Sequence, residues 1–268
     1  MFRRATDNDI TELRALWRKC FDADRSFLNL FFNKGYGLTR TYIIEAGQSI
    51  VSALSVFPVK FNGHNGGYVY GVCTHPEHRG HGYAVTLLRY AEDLLLDKEL
   101  DFMILRPASP TLFDYYRKQG YDMPLYRKRK TIKLPLIPAE VTLLPLSNRL
   151  MYTARSRQCS SGHLFEWTPE VCGYIADYVM YCNGKACRIQ GNGSYIICYP
   201  DTENNGNIIC EETDCPDMAP YWIKCLYPEA CTATFSLPSS DKDEEYMLCK
   251  TKSDLFCRHS PLFTFTME

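Results

Sequence analysis

The sequence predicts an α/β protein with a mixed sheet, laid out as two successive domains on one plan. Three observations carry this. Helix and strand signals alternate from residue 1 to about 130, a glycine-rich loop joins one strand to the following helix, and a fainter copy of the alternation returns after residue 150. A chain of 268 residues, 46% of them hydrophobic, can bury two small cores or one large one.

The first half opens with a short strand at Phe2 to Ala5. A helix follows, started by Thr6 with Asp9 three residues on, a spacing that resembles a capping box. Ile10, Leu13, Trp17, Cys20 and Phe21 give it one apolar face, and Phe27 to Phe32 reads as a second, short helix. Strands are predicted at Tyr42 to Glu45, Val51 to Phe61 and Tyr68 to Thr74, separated by Gly47 and by a hairpin turn over Asn62 to Gly67. After the glycine loop, Ala84, Leu87, Leu88, Ala91, Leu94 and Leu95 recur at helical spacing. A strand at Phe102 to Leu105, a helix from Thr111 to Lys118 entered through Ser109-Pro110, and a strand from Tyr121 to Leu134 complete this half.

The two prolines of Leu134-Pro135-Leu136-Ile137-Pro138 favour an extended connection, which sets the domains at 1–134 and 135–268. In the second, a helix starts at Thr168-Pro169, with strands at Ala186 to Ile189, Tyr195 to Tyr199 and Asn207 to Glu211. A helix from Pro216 to Leu226 and strands at Thr232 to Leu237, Tyr246 to Lys250 and Leu262 to Met267 follow.

With 30 basic against 31 acidic residues the chain has no basic stripe to neutralise nucleic-acid phosphates, so no nucleic-acid partner is expected. The amino terminus runs straight into an amphipathic pattern, and no apolar run is long enough to span a bilayer, which predicts a cytoplasmic protein with no membrane partner. The thirteen cysteines are odd in number and irregularly spaced, several within apolar runs, and read as small buried hydrophobes. Cys182, Cys187, Cys210 and Cys215 show no two-residue spacing and no accompanying histidine, and His64, His75, His78 and His81 fall in a turn and a loop where alternate side chains diverge. No metal is expected.

The segment that marks a ligand site is His75-Pro76-Glu77-His78-Arg79-Gly80-His81-Gly82-Tyr83-Ala84, between a strand and a helix. Glycines at 80 and 82 let successive N–H groups turn toward one point at a helix N-terminus, where the helix dipole favours an anion, and Arg79 adds a positive charge. The run from Gly71 to Ala84, with Leu87-Leu88 after it, closely resembles motif A of the GNAT superfamily of N-acetyltransferases. Leu105-Arg106-Pro107-Ala108 and Leu112 to Tyr121 resemble the fifth strand and following helix of that fold, and the fainter second copy is similar to the tandem arrangement of Eis-like acetyltransferases. The chain is shorter than that group by its third domain.

The resemblance implies an acetyl-CoA-dependent transfer to a primary amine, a small-molecule acceptor, by direct attack in a ternary complex; the alternative is a non-catalytic acyl-CoA-binding or regulatory module that keeps the phosphate loop without the chemistry. The resemblance assigns the backbone groups of Val72 and Thr74, with Cys73 between them, to the acyl-pantetheine, and Arg79, Gly80, His81, Gly82, Tyr83 and Ala84 to the pyrophosphate. Tyr116 matches the family tyrosine that protonates the departing thiolate. The terminal carboxylate of Glu268 is a conceivable base, and the tandem arrangement implies a homo-oligomer. A thiolate at Cys73 could in principle be acylated, but nothing nearby in sequence activates it. In the second half, the segment after Cys210 has Glu211, Glu212, Asp214 and Asp217 and no glycine. It therefore predicts a loop that repels pyrophosphate and could attract a cationic amine, so a single coenzyme site is expected, in the first half.

Overall fold

Residues 1–96, 98–137, 140–159, 164–239, 243–251 and 261–264 are described by the computed structural model. The chain divides into two compact units, Met1–Pro124 with Tyr246–Leu255, and Leu125–Glu245 with Phe256–Glu268. Glu268 and the predicted strand positions 265–267 lie outside the described residues.

The first unit contains β1 (Phe2–Arg4), α1 (Ile10–Phe21), α2 (Arg25–Leu30), β2 (Arg40–Ala46), β3 (Ser49–Phe61), β4 (His64–Thr74), α3 (Tyr83–Leu95), β5 (Phe102–Leu105) and α4 (Pro110–Arg117). The rest of the chain forms β6 (Met123–Lys133), β7 (Leu143–Pro145), α5 (Asn148–Cys159), β8 (Glu166–Trp167), α6 (Pro169–Tyr181), β9 (Lys185–Ile189), β10 (Tyr195–Pro200), β11 (Asn207–Thr213), α7 (Ala219–Leu226), β12 (Thr232–Pro238) and β13 (Glu244–Thr251). In the first unit the strand order is β1-β2-β3-β4-β5-β13. All of its pairs are antiparallel except β4 with β5, which α3 connects as a crossover. The second unit has the order β6-β12-β11-β10-β9-β7, again antiparallel but for β11 with β12, joined through α7. Both are mixed α/β sheets of similar wiring. Strand β13, late in the sequence, is thus the outer neighbour of β5 in the first unit, while most of β6 belongs to the second.

The periodic face of α3 does what its spacing predicts. Leu87, Leu88, Ala91 and Leu95 are all buried against Leu54, Val56, Val69, Met103 and Leu105, each leucine contributing about 1.5–3 kcal/mol by leaving water. Trp17 of α1 instead stacks on Phe31, with ring centroids 4.2 Å apart, and meets Phe27 and Tyr70.

The predicted hairpin turn over Asn62 to Gly67 is shorter than expected. Only Asn62 and Gly63 make it, both left-handed at φ 48° and 81°, the pattern of a type I′ turn. Gly66 and Gly67 lie inside β4, because a Cβ on Gly66 would come within 2.2 Å of the Phe102 ring, and one on Gly67 within 2.6 Å of Val56 Cγ1. These glycines allow close approach between strands, which sequence pattern alone cannot tell from a turn.

At the amino terminus the Asp9 carboxylate accepts from the Thr6 N–H at 2.7 Å and the Thr6 hydroxyl at 3.0 Å, completing the capping arrangement, and it forms a two-pronged pair with Arg3. The Arg3 hydrogen bonds, aided by Thr6 and opposed by burial, hold the Asp9 carboxyl well below the usual carboxylate range. A depressed native pKa contributes stability that is present above the unfolded value of about 4 and is lost as pH falls through the native one. Asp9→Asn should therefore cost about 1–2 kcal/mol near pH 7. Thermal melts in a pH series should show that difference closing toward pH 2, and a gap that stays constant would remove the charge from the account.

The second unit differs from expectation in α5, which spacing did not reveal. Its inward stripe is Met151, Arg155 and Cys159, all buried, and a polarity pattern counts the middle residue as surface. Arg155 donates from Nε to both Glu212 oxygens at 2.9 and 3.0 Å, and from Nη2 to the Phe165 carbonyl and the Thr264 hydroxyl. Tyr195 and Thr264 also donate to Glu212, at 2.5 and 2.7 Å. Glu211 accepts from Tyr199 at 2.9 Å. Glu211 and Glu212 are therefore paired inside β11, not displayed on a loop, and the expectation that they attract a cationic amine is corrected. Asp214 and Asp217 are exposed.

Candidate active site

The site begins with a fault in β4. Pairing with β3 runs Ser52 to Thr74 and Ala53 to Cys73, then resumes at Ser55 with Tyr70, so that Gly71 and Val72 together oppose Leu54. Gly71 is left-handed at φ 62°, as a glycine bulge requires. On its other side β4 pairs with β5 only from Gly66–Phe102 to Val69–Leu105. Beyond Val69 the bulged strand continues to Thr74 while β5 ends, leaving a V-shaped opening that leads to the start of α3.

Val72, Cys73 and Thr74 form one wall of that opening. Cys73 is buried and Val72 and Thr74 are partly so. The Cys73 carbonyl accepts from Ser52 Oγ at 2.8 Å, and the Thr74 carbonyl accepts from both Arg79 Nε and Cys20 Sγ at 3.3 Å. Arg79 is thereby drawn back against the end of β4, beside the loop glycines.

The loop itself supplies unused donors. Gly80 and Gly82 are left-handed at φ 80° and 76°, with open space where a Cβ would stand. Gly82 caps α3, and the first N–H with a backbone acceptor after Arg79 among the helix-start bonds is that of Thr86, donating to the Gly82 carbonyl. The N–H groups of Gly80, His81, Gly82, Tyr83 and Ala84 have no acceptor among the described residues. These are the unsatisfied donors that a helix N-terminus leaves, here extended back into the turn and facing solvent. The His81 ring stacks on Tyr83 and its Nδ1 sits 3.0 Å from the Arg79 carbonyl, so this histidine is committed within the loop. The arrangement could hold a pyrophosphate: a run of N–H groups without backbone acceptors, the positive end of a thirteen-residue helix, and open space beside Gly80 and Gly82.

Tyr116 lies on α4, buried, its ring edge-on to Tyr115 and Tyr121. Burial pushes its phenol well above 10, which keeps the proton on the oxygen. Tyr115, on the same helix, is half-buried. Sequence reasoning read Cys20 only as part of the apolar face of α1 and did not name Lys19; α1 brings both to this end of β4. Lys19 Nζ lies 2.8 Å from His75 Nε2.

The segment carrying the bulge, the cradle and α4 coincides with a family model. Residues 1–123 match the acetyltransferase (GNAT) domain. This part of the chain is a GNAT domain. That match identifies a domain of acyltransferase type over residues 1–123. No curated protein sequence matches the chain, but solved structures extend the likeness over nearly all of it. A conserved protein of unknown function from Enterococcus faecalis V583 superposes with a TM-score of 0.73 at 16% identity, covering 96% of this chain and 74% of that one. Eis1 from Mycobacterium abscessus gives 0.67 at 10% identity, covering 94% and 73%. A tandem GNAT protein from the clavulanic acid biosynthesis pathway gives 0.54 at 12%, covering 94% and 98%. At such identities the likeness is one of fold, and it extends the GNAT architecture beyond the domain that the family model spans. Among the described residues no helix is long and apolar enough to cross a membrane.

Proposed function

We propose that the chain is an acetyl-CoA-dependent N-acetyltransferase that passes an acetyl group to a primary amine of a small molecule, within one ternary complex. The observation that supports this best is the row of five N–H donors from Gly80 to Ala84, without acceptors and at the foot of the V-shaped opening. In this reading the donors and Arg79 hold the pyrophosphate, Val72 to Thr74 line the acyl-pantetheine, and the thioester supplies the activated acyl group. The chain's own residues bind and orient it, and no covalent nucleophile is needed.

Tyr116 is the proposed proton donor to the departing sulfur. Its raised pKa keeps it protonated across the working pH range. Tyr116→Phe should lower kcat by about 10²-fold or more, with acetyl-CoA affinity unchanged. The assay is mass-spectrometric detection of acetylated product from a panel of amines, and undiminished turnover would take Tyr116 out of the mechanism.

The second unit is proposed to be a degenerate GNAT-like domain without a coenzyme site of its own. Its wiring repeats the parallel pair with a helical crossover, and β11 carries a bulge at Glu211 where its pairing with β12 ends. The helix start differs: the Met218 and Ala219 N–H groups both donate to the Cys215 carbonyl, and Pro220 has no N–H to offer. Where the first unit keeps open donors, the second has used or lost them, and the Arg155–Glu212 pair adjoins its own strand opening.

A further inference from the structure

Helix α4 has eight residues, and Tyr116 is the one among them that is fully buried. So short a helix depends on how its ends are held, and its last carbonyls need donors from outside the regular ladder. The Tyr116 carbonyl accepts from the Gln119 N–H at 2.9 Å and from the Tyr121 N–H at 3.2 Å, which closes the helix into a turn. Gly120 passes through that turn at φ 88°. The Gln119 carbonyl, in the same turn, accepts from Lys250 Nζ at 2.9 Å.

Lys250 comes from β13, where it pairs with Met103 of β5, 131 residues beyond Gln119. Its ammonium makes a second hydrogen bond, to Glu92 Oε2 of α3 at 2.6 Å, and stands 5.6 Å from the centre of the Tyr121 ring. That ring in turn meets Tyr116 edge-on, with centroids 6.2 Å apart. The lysine stem also runs over Gly120, where a Cβ would come within 3.2 Å of Lys250 Cε. One cation thus joins the helix that starts at the phosphate cradle, the turn that ends α4, and the ring beside Tyr116. The place suits a cation, because it faces the negative end of α4 and a carboxylate only 8% exposed.

We propose that Lys250 is a positioning residue for Tyr116: acting through the Gln119 carbonyl and the Tyr121 ring, it fixes where the phenol stands. This rests on the reading of Tyr116 as the proton donor. A donor must come within about 3 Å of the atom it protonates, so a turn that drifts by about one ångström slows the chemical step far more than it weakens binding. The cradle from Gly80 to Ala84 lies at the opposite end of α3 from Glu92, so coenzyme affinity is independent of this tie.

Lys250→Met alone would leave Glu92 buried without its cation, so the protein to test is Lys250→Met with Glu92→Gln, which carries no unpaired charge. Its kcat should fall by about tenfold or more, while acetyl-CoA affinity by calorimetry stays within about twofold of wild type. Lys250→Arg, which keeps a cation with donors for both acceptors, should recover most of the turnover. In a Tyr116→Phe background the Met and Gln changes should have no further effect on kcat, as expected of a residue that acts through that phenol. Hydrogen–deuterium exchange over residues 116–121 reads the turn without any substrate, and it should quicken in the double variant while residues 80–88 stay unchanged. Full turnover in the double variant would overturn the proposal. So would an equal loss in the Tyr116→Phe background, unaltered exchange over the turn, or a parallel loss of coenzyme affinity. Undiminished turnover by Tyr116→Phe alone is a different failure, which removes the proton-donor reading and this inference with it.

Discussion

Gly82→Glu should weaken acetyl-CoA binding by at least about a hundredfold while leaving the fold in place. The expected loss has an electrostatic and a geometric part. The carboxylate would sit at the helix N-terminus, the place where the domain otherwise welcomes an anion, and compete there with the pyrophosphate. The new side chain would also stand among donors that now face open space. Structural damage is small by comparison, because a Cβ at this position meets nothing, and left-handed backbone costs an L residue about 1–2 kcal/mol. Gly82→Ala separates the two contributions: it carries the backbone strain without the charge and should retain most of the affinity. Calorimetric titration at fixed ionic strength, with circular dichroism to check the fold, makes the measurement. Equal affinity in wild type and the Glu variant would move the phosphates elsewhere.

The second large effect is on stability. Arg155→Met should destabilise the second unit by about 3–5 kcal/mol, because it leaves the Glu212 carboxylate buried without its cation. Both side chains are only 2% exposed, so water cannot take over. The double variant Arg155→Met with Glu212→Leu should recover most of that loss, since a buried ion pair replaced by apolar groups of similar volume is often near neutral. Urea unfolding followed through Trp167 and Trp222, both buried in this unit, supplies the readout. A single variant within about 1 kcal/mol of wild type would mean that the pair is solvated in solution.

Arg155 also shows where legibility of the sequence ends. Longer elements with an apolar inward face could be read: α3 from its leucines, β4 and β11 from their branched and aromatic runs, and the left-handed turn at Gly80 and Gly82 from its glycines, whereas the short strands β7 and β8 gave no pattern to read. What else escaped was held by polar residues turned inward. Helix α5 has a buried arginine in its core stripe, and β11 runs on through two glutamates that composition marks as a solvated loop. Charge in a sequence predicts exposure unless a partner is found, and Arg155 finds Glu212 across 57 residues, beyond the reach of any local window. The same limit hid the surroundings of Cys20. Spacing placed it correctly on the inner face of α1, but only the fold brings it to the Thr74 carbonyl at the end of β4. Gly66 and Gly67 mark the remaining difficulty, since a glycine needed for close packing looks the same as one needed for a turn.

Strand β13 has a consequence for how the molecule is made. The partner of β5 in the acetyltransferase domain is residues 248–251, so the edge of the domain's parallel pair is not covered until the second unit, residues 125–245, has been translated. At about 5–20 residues per second the nascent first unit waits on the order of ten seconds with an unpaired edge and an incomplete core, a state open to misassociation. Lys250 makes that wait more demanding, for it is the cation that Glu92 of α3 is buried against. Synthesis is therefore vectorial but completion is not. A ribosome stalled in the second unit would release the part of the chain that carries the cradle without the strand that closes it.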